Sequence, residues 1–213
     1  MSRYLQLICA GICSLTLRSA DIAASDEITI SSEVTPTFMG GEFRGCSVNF
    51  EAARRDAEYG SGKLAYISGS INVYALPEKV PAVMLKLGIR YEDDPVRYLA
   101  PSELYLINGY KTNKSEFVRT MDAEQTGFKL SVYEFGNETI AALIEPVISE
   151  AQITVGYTLD DGQLLAKFPI DLRMRNLNFS KAEESTIDEQ APRTWLNCLN
   201  ELFSVAMRDL SGQ

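Results

Sequence analysis

Several stretches of the chain alternate between apolar and polar residues, which is typical of half-buried β-strands. The clearest runs cover residues 43–50, 65–75, 83–91 and 128–133. In the first run Cys46 lies on the apolar face and is predicted to point inward. The polar faces of the other runs carry Tyr66, Tyr74 and Tyr133. Tyr133 is assigned outward because it alternates with Phe128, Leu130 and Val132.

A β-hairpin is predicted between residues 153 and 172. The apolar positions Ile153, Val155, Tyr157 and Leu159 lead into Asp160-Asp161-Gly162. A second alternating run then covers residues 164–172. Aspartate followed by glycine suits a short turn with positive φ, so the two runs are expected to pair antiparallel.

Two helices are predicted in the second half of the chain. The first begins near Asn137, which can cap it, and is expected to last one or two turns because Pro146 removes a backbone donor. The second covers about residues 191–211, with Pro192 in its first turn. Its apolar stripe is Trp195, Leu199, Leu202, Phe203, Ala206 and Leu210. Ser180 to Gln190, which is polar and acidic, is expected to be a mobile loop.

The N-terminus has the three-part pattern of a signal peptide. Arg3 precedes the uncharged, mostly apolar stretch from Leu5 to Leu17, and small residues follow it. This stretch is shorter than the roughly 20 residues that cross a bilayer, so cleavage after about residue 24 is predicted rather than anchoring. The alternative is an amphipathic or buried N-terminal helix. The rest, residues 25–213, has no integral membrane segment and is large enough for one domain.

These elements together predict a mainly β fold. The expected architecture is an antiparallel β-sandwich with a short internal helix and a C-terminal α-helix. Export would place it in the periplasm or outside the cell, where thiols oxidise. Two of the four cysteines belong to the leader, so Cys46 and Cys198 remain, and both lie on apolar faces. A disulfide that fastens the last helix to the sheet is expected, and two free buried thiols are the alternative.

Composition excludes several classes of chemistry. The chain has a net charge of −9, which repels phosphate backbones, so nucleic acid is not an expected partner. It contains no histidine, which removes serine–histidine and cysteine–histidine catalytic pairs and imidazole metal ligands. With both cysteines in a disulfide, no thiolate zinc site can form either. No metal and no cofactor is therefore expected.

Local patterns with possible chemistry have simpler structural explanations. Residues 60–63 read Gly-Ser-Gly-Lys, but Ala57 and Leu64 break the phosphate-loop pattern, so a turn between strands is predicted. The acidic clusters at residues 92–94 and 160–161 could bind calcium or serve a glycosidase, yet they read as charged turns. The triplets that begin at Asn113, Asn137 and Asn178 matter only in a eukaryotic secretory pathway.

If the strands are neighbours, the outward tyrosines Tyr66, Tyr74 and Tyr133 form an aromatic, polar surface with nearby serines and Lys129. Such a surface suits binding to a partner or a sugar. The alternative is that the tyrosines pack under a helix or loop.

The run from Thr139 to Arg175 resembles the closing section of the invasion-associated protein B family of bacterial exported proteins. Both have a short helical segment, a strand, a turn with glycine, and a strand that ends in Pro-x-x-Leu, here Pro169 to Leu172. The similar run covers less than a quarter of the chain, which lacks the family's early Trp-x-x-x-Cys segment and second cysteine pair. The resemblance implies a periplasmic or surface-associated β-sandwich without known enzymatic activity.

The expected function is therefore that of an exported, non-enzymatic binding protein whose partner is a protein or another envelope component. A hydrolase that uses a pair of carboxylates, for example on glycans, is the alternative. A deep pocket with two converging carboxylates would favour the hydrolase, and a flat aromatic face would favour binding.

Overall fold

The computed structural model describes residues 27–75, 81–159, 164–176 and 185–211. The predicted signal peptide, the turn at residues 160–162 and Asn178 lie outside these ranges. The strands are β1 (Glu27–Met39), β2 (Glu42–Asp56), β3 (Lys63–Tyr74), β4 (Ala82–Tyr91), β5 (Glu103–Asn108), β6 (Lys111–Thr112), β7 (Phe117–Asp122), β8 (Phe128–Glu134), β9 (Gln152–Thr158), β10 (Ala166–Asp171), β11 (Met174–Asn176) and β12 (Ser185–Ile187). The helices are α1 (Asn137–Glu150) and α2 (Ala191–Ser211).

The strands form antiparallel sheets, and the predicted mainly β class is confirmed. The large sheet has the order β1-β2-β3-β4-β8-β7, and the small sheet has the order β10-β9-β5-β6. Inward residues of both sheets share one core that also contains residues of α1 and α2. The alternation predicted for β2, β3, β4, β9 and β10 places the correct faces inward, because their apolar positions bury together.

The face assignment of β8 is wrong. Val83 of β4 pairs with Tyr133, and Leu85 pairs with Ser131, so both β8 residues lie on the inner face. Tyr133 is 1 % exposed, and its hydroxyl donates to the carbonyl of Leu104 in the small sheet. The apolar residues Phe128, Leu130 and Val132 lie on the outer face instead, where Phe128 is buried in contact with Tyr98 and the other two are half-buried. Alternation alone therefore identified the strand but not its buried side.

Helix α1 is longer than predicted, because Pro146 lies inside it rather than ending it. Burial of Ala142, Leu143 and Val147 holds the helix against the core on both sides of the proline. The indole Nε1 of Trp195 donates to the Leu143 carbonyl at 3.1 Å, so α2 also holds the turn that precedes the proline. Packing thus offsets the lost helical hydrogen bond.

The cap of α1 also differs from the prediction. The N-cap residue is Gly136, and no side chain of α1 itself caps the helix. The carboxylate of Glu116 instead accepts the backbone N–H groups of Glu138 and Thr139 at 2.9 and 2.7 Å. A Cβ at position 136 would lie 2.1 Å from Glu116 Oε1, so this approach requires glycine. A carboxylate from the 3-10 helix Asn113–Glu116 therefore performs the role expected of Asn137.

Helix α2 matches its predicted range, and the structure joins it to β2 through the predicted disulfide. The sulfur atoms of Cys46 and Cys198 are 2.11 Å apart. Arg44 Nη1 also lies 2.5 Å from Asp209 Oδ2, near the other end of the helix. Trp195, Leu199 and Leu202 are buried against the sheet. The last helix is thus fastened to the large sheet by a covalent bond, an ion pair and apolar packing.

The segment expected to be a mobile loop contains strand β12. Ser185–Ile187 pairs with Met174–Asn176, and Arg175 Nη1 lies 3.6 Å from Asp188 Oδ2. The pairing is non-local and its strands are three residues long, so local sequence carried no signal for it. The long strand β1 was also missed, because its many polar residues break the alternation.

Candidate functional site

The outer face of the large sheet carries rows of polar side chains. Directly opposed residues of neighbouring strands share a face, so the register defines each row. One row across β1, β2, β3 and β4 contains Glu33, Asn49, Ser70 and Lys86. The next contains Ser31, Glu51, Ser68 and Gly88. These rows contain no apolar side chain that would call for a covering layer.

A groove of about 480 Å³ follows these two rows across the strands. It spans three strand spacings, or roughly 14 Å from β1 to β4. Its walls rise at both ends: Arg175 of β11 lies beyond β1, while Tyr98 and Gln125 come from loops beside β4 and β8. The groove is open to solvent along its length, and its lining is mainly polar. It is the candidate functional site.

The β1–β2 end of the groove is acidic. Ser31 opposes Glu51 and Glu33 opposes Asn49, so the two carboxylates are diagonal neighbours on adjacent strands. Glu33 is exposed and Glu51 is half-buried. Within the described ranges, the side chains of Glu33, Asn49 and Glu51 form no hydrogen bond or ion pair. Arg175, a cationic residue of the wall, is paired with Asp188.

The β4 end of the groove combines a lysine with aromatic rings. Lys86 Nζ donates to Gln125 Oε1 at 3.2 Å and lies 5.0 Å from the ring centroid of Phe128. The Phe128 ring covers Gly88, where a Cβ would lie 2.8 Å from it, so β4 needs glycine there. Tyr98 packs on Phe128 with ring centroids 4.7 Å apart. This end is therefore rigid, apolar at its base and positively charged at its rim.

The predicted tyrosine surface is divided by the structure. Tyr66 and Tyr74 are on the outer face, half-exposed, on either side of the groove rows. Arg90 lies 4.9 Å from the Tyr66 ring and 5.7 Å from the Tyr98 ring, which connects Tyr66 to the groove wall. Tyr74 stands two outward positions beyond Ser70, outside the groove. Tyr133 belongs to the core, so it cannot contact a ligand on this face.

Sequence reasoning missed Glu33, Glu51 and Lys86 as a set. They lie on three strands that are far apart along the chain, and each taken alone is an ordinary outward residue of a strand. The one signal available was the polar character of the outward positions in β3. The acidic residues of β1 carried none, because β1 itself was not predicted.

A second group of polar residues lies at the end of β2 and is fully enclosed. Asp56 has no exposed surface. Its Oδ2 accepts the hydroxyl groups of Tyr91 at 2.6 Å and Tyr157 at 3.2 Å. Its Oδ1 accepts the backbone N–H groups of Glu58 and Tyr59 at 3.1 and 3.0 Å. Every oxygen is thus occupied by the protein, which indicates a structural role.

The surroundings of Asp56 shift the pKa values of its carboxyl group and of the hydroxyls of Tyr91 and Tyr157. Burial raises the pKa of Asp56, but hydrogen bonds from Tyr91 and the Tyr59 backbone and the charge of Arg54 outweigh burial. The pKa of Asp56 is therefore held below its ordinary value. Burial and the neighbouring carboxylate raise the pKa of the Tyr91 and Tyr157 hydroxyls well above the ordinary range. The carboxylate stays charged and both hydroxyls stay protonated near neutral pH.

The remaining sequence patterns have structural explanations. Residues 60–63 form the predicted turn between β2 and β3, with Gly62 N bonded to the Asp56 carbonyl at 2.7 Å. In the charged turn after β4, Asp93 pairs with Lys63 at 2.6 Å. Asn113 is 1 % exposed, and its amide bonds to Leu106 and Thr139, so it is inaccessible in the folded chain.

Two features of the described residues bear on membrane insertion and metal binding. Neither helix there is long and apolar enough to cross a membrane. In the same residues, no group of three or more cysteine or acidic side chains is arranged to hold a metal ion.

No protein-family model matches the chain, and neither the curated proteins nor the solved structures contain a match to it.

Proposed function

We propose that this chain is an exported, non-enzymatic binding protein of the bacterial envelope that holds its ligand in the outer-face groove. The observation that carries the proposal is the set of unpaired polar groups at the groove: Glu33, Asn49 and Glu51 face solvent without a partner in the described part of the chain. Fixed polar groups on a rigid sheet bind at little entropic cost, because strand positions are already ordered.

An extracytoplasmic location is supported by two independent features. The N-terminal segment has the composition of a signal peptide. The Cys46–Cys198 disulfide suits an oxidising compartment, since disulfides seldom persist in the cytosol. Mass spectrometry of the native protein should find a new N-terminus near Ser25 or Asp26. An intact Met1 in the extracytoplasmic fraction would refute cleavage of a signal peptide, and recovery of the chain from the cytoplasm alone would refute export.

Blocking the groove tests the binding proposal. Ser70 lies at its centre and is half-buried, so Ser70→Trp fills the groove without touching the core. The wild-type chain should sediment with insoluble envelope material from its source cells, and the Ser70→Trp variant should remain in the supernatant. Val118→Trp is the matched control, because Val118 is 51 % exposed on β7, outside the groove. Equal sedimentation of all three chains would refute the groove as the binding site.

A carboxylate-dependent hydrolase is the second candidate, because Glu33 and Glu51 are diagonal neighbours on adjacent strands and both line the groove. Glycosidase carboxylates flank the bond that is cleaved. Here both lie at the β1–β2 end, and Lys86 stands at the other end, so only the end of a ligand that runs along the groove would reach the pair, and no internal glycosidic bond would lie between its members. Binding therefore fits this arrangement better. Release of shorter products from bound oligosaccharide, lost in Glu51→Gln, would reverse that choice.

A further inference from the structure

The acidic end of the groove is built to receive a positive charge. Two carboxylates occupy diagonal corners of a four-residue set, and Ser31 and Asn49 occupy the others. Ser31 is only 7 % exposed and lines the groove, yet its hydroxyl has no partner in the described ranges. A cation bound between two carboxylates removes their mutual repulsion. The set thus presents acceptor oxygens and negative charge at one end of the groove.

The composition of this set favours an ammonium group over a metal ion. An ammonium group has three N–H donors, which the two carboxylates and one neutral oxygen of Ser31 or Asn49 can accept. Calcium takes six to eight oxygen ligands around one point, and in the described residues no three acidic or cysteine side chains are arranged to hold a metal ion. A magnesium ion would require a tighter, octahedral set. A ligand's own ammonium group therefore matches the site best.

The rest of the groove favours a hydroxyl-rich ligand over a peptide. Most of its floor consists of the interior strands β2, β3 and β4, whose backbone N–H and C=O groups are already paired. The edge strand β1 forms the acidic end, where Ser32 donates to the carbonyls of Asp171 and Met174 and so ties this edge to the neighbouring segment. Extended peptides are commonly recognised by adding to the free backbone of an edge strand. Here only side chains are available, from Asn49, Ser70, Lys86 and Gln125. Sugar hydroxyls both donate and accept, which matches this mixture of groups.

Resting on the proposed binding function, we infer that the groove binds an oligosaccharide with a free amino group, whose ammonium lies between Glu33 and Glu51. The chain of sugar rings then crosses β2 and β3 toward β4. There Lys86 and Gln125 donate to its hydroxyl or ring oxygens, next to the apolar base formed by Phe128. The roughly 14 Å between β1 and β4 leaves room for more than one ring.

Calorimetric titration with two matched sugars tests the inference. The probes are the glucosamine tetramer and its fully N-acetylated form, at a pH where the free amines are protonated. The wild-type chain should bind the free-amine tetramer about tenfold or more tightly than the acetylated one, because only the former provides charge-assisted hydrogen bonds. Glu33→Gln with Glu51→Gln should abolish this difference. Glu201→Gln, on an exposed position of α2, should preserve it.

The possible outcomes separate this inference from the proposed function. Equal affinity for the two tetramers, or an unchanged preference in the double glutamine variant, overturns the ammonium assignment. Tighter binding of a lysine tetrapeptide than of the glucosamine tetramer overturns the sugar assignment. If neither tetramer binds but Ser70→Trp still abolishes envelope sedimentation, the inference fails and the proposed function stands. If Ser70→Trp also leaves sedimentation unchanged, the proposed function fails as well.

Discussion

Two sets of carboxylates on the same sheet have opposite surroundings. Asp56 is fully buried, and tyrosine hydroxyls and backbone N–H groups occupy both of its oxygens. Glu33 and Glu51 have no such partners within the described residues. A buried charge must be fully hydrogen-bonded or it destabilises the fold, whereas a group that recognises a ligand must keep its hydrogen-bonding capacity free. The presence or absence of hydrogen-bond partners at the carboxylate oxygens therefore distinguishes structural from candidate binding carboxylates in this protein.

The largest effect is expected from removal of the buried carboxylate. Asp56→Ala leaves two tyrosine hydroxyls and two backbone N–H groups without their acceptor, so the free energy of unfolding should fall by about 3–5 kcal/mol. Denaturant unfolding measures it. The matched variant Glu51→Ala should change it by no more than about 0.5 kcal/mol, because Glu51 has no partner to lose. Equal losses in the two variants would refute the distinction between the two sets.

Loss of the disulfide is expected to come next. Cys46 and Cys198 are separated by 152 positions, and breaking such a loop by Cys198→Ser should cost about 2–5 kcal/mol. The buried Trp195 lies one turn from Cys198, so its fluorescence should report loosening of α2. Thiol labelling of the denatured, unreduced protein gives the direct check. Detection of two reactive thiols would contradict the disulfide, and the absence of reactive thiols would support it.

Glu116 is a saturated carboxylate near the surface, and its removal should have an intermediate effect. Both of its oxygens accept backbone N–H groups at the start of α1. Glu116→Ala should therefore lower the free energy of unfolding by about 1–2 kcal/mol, the size of a lost helix cap. Hydrogen exchange should accelerate at Glu138 and Thr139 more than in β9. Unchanged protection of these two amides would show that the cap contributes little.

The pH dependence of stability provides the smallest and most specific test. Because the pKa of Asp56 is lowered by folding, its contribution is present above the unfolded pKa of about 4 and is lost as pH falls through the folded pKa. The tyrosine pKa values are raised, so the contribution of Tyr91 and Tyr157 is present below about pH 10 and is lost above it. Thermal midpoints of Asp56→Asn should therefore fall less steeply than wild type below about pH 4.

Several features were predictable because they depend on neighbouring residues. Alternation identified β2, β3, β4, β9 and β10, and the helical stripe identified α2 with its correct bounds. The disulfide followed from cysteine count and apolar faces rather than from any knowledge of distance. The length of α1 was underestimated, because local chemistry counts the lost donor of Pro146 but not the core that holds the helix around it.

By itself, the sequence determined the mainly β class, the C-terminal helix, the expected pairing of Cys46 with Cys198 and the absence of histidine chemistry. Only the tertiary structure decided which side of β8 is buried, what caps α1 and which polar residues meet on one face. Those features depend on strand register, which joins residues far apart in the chain. Glu33, Glu51 and Lys86 become one site only because β1, β2, β3 and β4 pair in this register.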